Sequence, residues 1–308
     1  MRLPSGIAIG LAVAGLAACS TPGSDPRYRP TENVLEAVAL LRLHVDDDTY
    51  RFPPARDFTG KNVYVASLRR LEDLERANVG ALRGGTLTDV IWFGEARALE
   101  RIGEYELASL HYRRVAELDS PLREPALQGR HVTEQLRDAR AIQPGPELGI
   151  DEALARFDER ERLLAALARE VDGTHYEYVI QEERERADRE RALWMRARRR
   201  MRSGLDALAL QQYQRLVRRN RESKNRNRNL LDLGDLYAEM ARDYAWRFPP
   251  VSLEFDAATF REYATGASRL YEAVSQQDGA IEKIEAARKL EAFLSFQFQV
   301  TDEHLPHR

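Results

Sequence analysis

Residues 89–121 read DVIWFGEARALERIGEYELASLHYRRVAELDSP, and the fold follows from how these positions are spaced. Trp92, Ala96 and Leu99 recur at helical intervals, Gly103 interrupts them, and Tyr105, Ala108, Tyr112 and Val115 resume the same period. Ala96 and Ala108 are small where two antiparallel helices must approach closely, and Gly103 allows the tight turn between them. Trp92 and Tyr112 then fill the space on either side. The segment predicts a helical hairpin.

The same spacing resembles a tetratricopeptide repeat (TPR). Ser120 stands where that family usually has proline, and Pro121 follows it directly. A second copy occurs around residues 193–216, with Leu193, Ala197, Gly204, Ala209, Tyr213 and Leu216 at matching offsets. In it Trp194 is displaced by one position and Arg200 takes a normally apolar place. The two copies cover under a quarter of the chain, and a generic helical hairpin is the alternative for each. The resemblance implies an α-helical solenoid whose first helices line a concave groove for a peptide or partner helix. Arg97, Glu100 and Arg101 lie on such a first helix and are the candidate groove residues.

Composition points the same way. Of 308 residues 31% are charged and 43% hydrophobic, with Ala, Leu, Glu and Arg prominent, all good helix formers. Alternating β-branched runs are missing, so the expected class is all-α. A helix is expected over about residues 31–48, with Val34, Ala37, Val38, Leu41 and Val45 on one face. Arg51-Phe52-Pro53-Pro54 stops it, because two prolines remove amide donors. Thr59 is the expected cap of the next helix, with Phe58 and Val63 as a hydrophobic staple. The tetrapeptide returns as Arg247-Phe248-Pro249-Pro250, followed by the cap Asp256 flanked by Phe255 and Phe260. Asn33 and Asn229, Leu40 and Leu236, and Asp47 and Asp243 match at the same offset, which reads as an internal repeat.

Gln143-Pro144-Gly145-Pro146 separates two helical regions, residues 31–142 and 150–300. In the second, Asp151 opens a helix with Leu154, Phe157, Leu164 and Val171 on one face. A long helix is expected over about residues 176–202, and its middle, residues 182–191, is charged everywhere except Ala187. Tyr176, Ile180, Ala187, Trp194, Ala197 and Met201 keep a spacing near 3.5 residues, interrupted by Glu183 and Glu190. The expectation is a hairpin with a wet centre, whose charges form a solvated face of Glu–Arg pairs or an arm for a partner helix.

At the start, Met1-Arg2 precedes an apolar run from Ile7 to Ala18, and Leu16-Ala17-Ala18-Cys19 closes it with small residues and a cysteine. This resembles the lipobox of bacterial lipoproteins. The resemblance implies a signal peptide over residues 1–18 and acylation of Cys19. Ser20, in place of the aspartate that retains such proteins at the inner membrane, implies an outer-membrane anchor facing the periplasm. An ordinary signal peptide with an incidental cysteine is the alternative. The run is a dozen residues, short of the roughly 20 that span a hydrocarbon core. Cys19 is the only cysteine, so no internal disulfide can form. Residues 19–30, rich in Pro, Ser and Arg, read as a flexible tether.

Between Arg191 and Arg228 there are 13 basic residues against Asp206 and Glu222, in a chain of net charge −3. Arg196, Arg198, Arg199, Arg200 and Arg202 are therefore candidates for anion binding, with anionic lipid or polysaccharide as external partners and the acidic remainder as the internal one. Nucleic acid is not expected, because aromatic interleaving is absent and the leader directs export. No phosphate loop, nucleophile elbow or paired helical histidines occur, and neither a metal nor a cofactor is expected. His131 with Glu134, one turn apart, lacks a third ligand, and Asp46-Asp47-Asp48 lacks the oxygen spacing of a calcium loop. Together these readings point to a periplasm-facing, lipid-anchored scaffold or adaptor that binds protein partners, not an enzyme. An all-α envelope enzyme such as a lytic glycosidase, and a spacer binding anionic surfaces through its arginines, are the alternatives.

Overall fold

A computed structural model describes residues 30–47, 55–77, 87–199, 201 and 204–304. Within them the chain is all-α. Eleven helices follow one another: α1 (Pro30–Asp47), α2 (Val63–Ala77), α3 (Thr88–Ile102), α4 (Tyr105–Ala116), α5 (Arg123–Ala141), α6 (Ile150–Glu170), α7 (Tyr176–Arg199), α8 (Asp206–Arg219), α9 (Arg226–Arg247), α10 (Ala257–Ser275) and α11 (Lys283–His304). Each helix packs on the next in sequence, and alternate helices also touch, α1 with α3, α5 with α7 and α9 with α11. No single core results. Apolar clusters follow one another along the stack, from Val34, Leu41, Tyr64 and Ile91 at one end to Phe260, Tyr271, Phe293 and Val300 at the other.

The hairpin of residues 89–121 is α3 and α4. Ala96, Leu99, Ala108, Tyr112 and Val115 are buried together, and Gly103 turns the chain at φ +80°, with its amide on the Glu100 carbonyl. A side chain at that φ is strained, which is why glycine ends the helix here. In the second copy only the second helix keeps the pattern, with Ala209, Tyr213 and Leu216 buried. Leu193 and Ala197 are exposed, and Ala192, Met195 and Arg199 face inward instead. The reason is length: α3 ends immediately before Gly103, whereas α7 ends five residues before Gly204, so positions counted back from that glycine fall out of phase.

The helix expected to start at Thr59 starts at Val63. Asn62 accepts from the Tyr64 and Val65 amides at 2.9 and 3.2 Å, while Asp57 takes the Thr59 amide at 2.8 Å and closes the preceding turn. Phe58 is fully exposed, so no staple forms. The later copy behaves as expected: Asp256 accepts from the Ala258 and Thr259 amides, and the rings of Phe255 and Phe260 lie 5.7 Å apart. Arg51 to Pro54 fall outside the described residues.

The largest departure is the charged middle of α7. It is neither solvated nor a free arm: Glu182, Glu183, Glu185, Asp188 and Arg191 are all buried. Glu183 accepts the Tyr105 hydroxyl at 2.8 Å and faces Arg186 at 3.1 Å and the fully buried Arg160 at 3.4 Å. Glu185 accepts from Ser223, Asn225 and Asn229, and Asp188 faces Arg215 and Arg219. Glu183, read as an interruption of the apolar stripe, is itself part of the interior. Buried charges are tolerated only when paired in this way.

Candidate functional site

The apolar face of α1 continues round the helix beyond its core residues. Val34, Ala37 and Leu41 pack inward, and Leu35, Val38 and Val45 form an adjoining stripe that borders a groove of about 540 Å³. The other wall is α3, through Val90, Phe93 and Arg97, and Leu122 and Pro125 at the start of α5 and His175 complete the lining. Gly94 lets the walls approach, since a Cβ there would sit 3.0 Å from Leu71 and 3.5 Å from Val38. The groove is lined by α1, α3 and α5, the first helices of successive pairs.

Arg42 and Asp46, both exposed, line the groove together with the less exposed Arg97. Its guanidinium carbon stands 5.5 Å from the Phe93 ring centre and 5.9 Å from that of Tyr176, an arrangement favourable for a cation between two π faces. Its Nη1 is sealed from solvent without a hydrogen-bond partner among the described residues. Glu100, one turn on, is buried; one oxygen accepts the Tyr112 hydroxyl at 2.8 Å, and the other stands 3.9 Å from His175. Burial raises the Glu100 pKa against the opposing pull of Arg97. His175 is pushed down to about 3 by burial and by Arg97 and Arg101, so its ring is neutral at ordinary pH. Arg101 pairs with Glu182 at 3.2 Å and stacks on Tyr64. Of the three candidate groove residues, Arg97 lines the groove, while Glu100 and Arg101 lie buried behind it. A smaller cavity of about 240 Å³, bordered by Arg101, His175 and Tyr178, adjoins the groove at His175.

The candidate anion-binding arginines are mostly occupied. Arg199 pairs with Asp206 at 3.0 Å, Asp243 at 2.5 Å and Glu239 at 3.5 Å. Arg196 also pairs with Glu239, and Arg198 donates to the Pro146 carbonyl at 2.7 Å while stacking 4.4 Å from the Trp194 ring centre. Arg200 and Arg202 lie outside the described residues, as does Cys19. His131 meets Glu170 at 2.9 Å, not Glu134, whose carboxylate takes Arg130. Among the described residues no group of three acidic, histidine or cysteine side chains is placed to hold a metal, and no helix is long and apolar enough to cross a membrane.

Sequence reasoning did not single out Leu35, Phe93, Pro125 or His175. The available signal was the width of the α1 stripe, where Leu35 and Val38 extend an apolar face that Val34, Ala37 and Leu41 already complete. No protein-family model matches the chain, and no curated protein matches it.

Proposed function

We propose that the protein is a lipid-anchored scaffold of the outer membrane, facing the periplasm, whose stacked hairpins form a TPR-like solenoid that holds a protein partner. The observation that carries this reading is the groove between α1 and α3, apolar on both walls, open at the surface and several helical turns long. Such a groove accepts the apolar face of an amphipathic segment and excludes water from it. Its catalytic poverty fits the same role, because the residues beside it are an arginine held between rings, a histidine kept neutral and a carboxylate bound to a tyrosine. The lipobox-like run ending at Cys19 supports the anchor, and a tether of residues 19–30 leaves the stack free to meet its partner.

A photo-crosslinking amino acid placed at Leu35, in the groove, and separately at Leu107, exposed on α4, tests the reading in intact cells. One discrete protein adduct is expected from Leu35 and none from Leu107. Equal labelling at both sites, or none at Leu35, refutes it. Cys19→Ala is expected to block acyl labelling and release the protein from membrane fractions; unchanged fractionation removes the anchor from the proposal.

A further inference from the structure

The last described helix, α11, carries apolar side chains on two sides. Ala286, Phe293 and Val300 are buried against α9 and α10, with Leu290 and Phe296 packed beside them. The other side is exposed and still apolar, with Ile284 at 66%, Leu294 at 46% and Phe298 at 73% of full exposure. A helix that closes a stack against water presents a polar outer face, and α11 does not. Its exposed side has a seven-residue pattern. Ile284, Glu291 and Phe298 form one row and Ala287, Leu294 and Thr301 a second, the two rows of a seam along which helices pair. Beside the seam runs a third row, Arg288, Ser295 and Asp302, all exposed. This row reverses its charge about its middle, with a cation one repeat before Ser295 and an anion one repeat after it.

We propose that the outer face of α11 binds the same face of a second copy of this chain, the two helices running antiparallel about a two-fold axis near Ser295. Antiparallel pairing seats the first row on the second and the third row on itself. One register serves all three. Phe298 of each copy rests on Leu294 of the other, Glu291 lies beside the Thr301 hydroxyl, Arg288 meets Asp302, and Ser295 meets its own counterpart. The two-fold axis makes each unlike contact occur twice. Parallel pairing would instead set Glu291 against Glu291, a like-charge contact at the centre of the seam. The reversal of charge about Ser295 therefore matches this face to itself, a symmetry that a helix of another protein would not require. The overlap covers residues 288–304 and leaves Ile284 outside. Such an interface is small, so association is weak in dilute solution and strengthened wherever copies are held close together. The contact is independent of the groove between α1 and α3.

The test places a photo-crosslinking amino acid at Ser295 of the full-length protein, in cells and after purification. The expected product has twice the mass of the chain, and both crosslinked peptides come from α11. Arg288→Asp and Asp302→Arg each oppose like charges at both ends of the pair, and each is expected to lower the adduct about tenfold. Combined in one chain, the two substitutions restore opposite charges and are expected to recover the adduct. Phe298→Asp is expected to abolish it. All three side chains are exposed, so these variants are expected to melt with the parent, which separates a lost contact from a lost fold. Single reversals that crosslink like the parent, or a double variant no better than the singles, overturn the antiparallel pairing. An adduct only with a different protein, a self-adduct joining α11 to another helix, or no self-adduct at all overturns the second copy as the occupant.

Discussion

Replacing Glu185 by leucine tests the buried charge on α7. The carboxylate is 1% exposed and accepts from Ser223 Oγ at 2.7 Å, Asn225 Nδ2 at 3.2 Å and Asn229 Nδ2 at 2.7 Å. All three donors are buried, and two sit in the turn from α8 to α9. Leucine fits the space but leaves those donors without an acceptor, each costing about 1–3 kcal/mol. Some water entry and side-chain rotation offset part of this, so the expected loss for three donors is about 3–5 kcal/mol. At roughly 2–4 °C per kcal/mol, the melting temperature falls by about 6–20 °C. Glu185→Gln keeps one acceptor oxygen and turns an amide toward a donor, and is expected to lose about half as much. Thermal melts followed by circular dichroism read the total. Hydrogen exchange localises it, because the amides of Ser223 and Arg226, which close the turn, lose protection first. A leucine variant within about 1 kcal/mol of the parent, with those amides still protected, refutes the claim that this carboxylate organises the junction.

Other consequences follow from single sites. A side chain at Gly129 on α5 meets the Tyr112 ring and the Tyr176 hydroxyl, both 2.7 Å from an added Cβ, so Gly129→Val is expected to cost about 1–3 kcal/mol in a denaturant titration. The depressed pKa of His175 means that, below the unfolded value of 6.5 and down to about 3, the unfolded chain binds a proton that the folded chain does not. Stability is therefore intact above that window and falls with pH inside it, by up to about 1.4 kcal/mol per unit, and His175→Gln is expected to flatten this slope between pH 6 and 4. Arg199→Glu puts a fourth carboxylate among Asp206, Glu239 and Asp243 and is expected to destabilise by about 3 kcal/mol or more, whereas Arg198→Glu changes stability by less than about 1 kcal/mol. Comparable melts for these two variants would refute the distinction.

The α3–α4 hairpin was legible because its signals are local: two alanines, a glycine and two aromatics fix a close approach within a single stretch. The interior of α7 was not, since no pattern within a helix separates a solvated glutamate from one whose partner arrives from elsewhere. Glu183 finds Tyr105 and Arg160, and Glu185 finds Asn229, at separations of 78, 23 and 44 residues. The first cap failed for a different reason. Asp57, Thr59 and Asn62 are all competent caps, and Asp57 drew Thr59 into a turn of its own, leaving Asn62 to start the helix. In the groove, Arg97 was within reach of sequence reasoning because it lies on the first helix of a recognisable pair. His175 was not, since it stands between helices with no periodicity to place it.

The basic segment shows how far a charge count can mislead about a surface. Its excess is real in sequence, yet Arg191 pairs with Asp158, Arg215 and Arg219 with Asp188, and Arg228 with Asp232 at 3.0 Å and Glu285 at 3.0 Å. These acidic partners come from α6, α7, α9 and α11, so the arginines tie the second half of the stack together. A cation already held by a carboxylate attracts an external anion only by giving that carboxylate up, and the exchange gains little at physiological ionic strength. Arg97 lies outside the basic segment and contributes nothing unusual to composition, yet it lines the groove, with the buried Glu100 one turn along α3 as the charge that favours it. The number of arginines in a segment therefore says little about where this protein meets another molecule when each one has already found its partner within the fold.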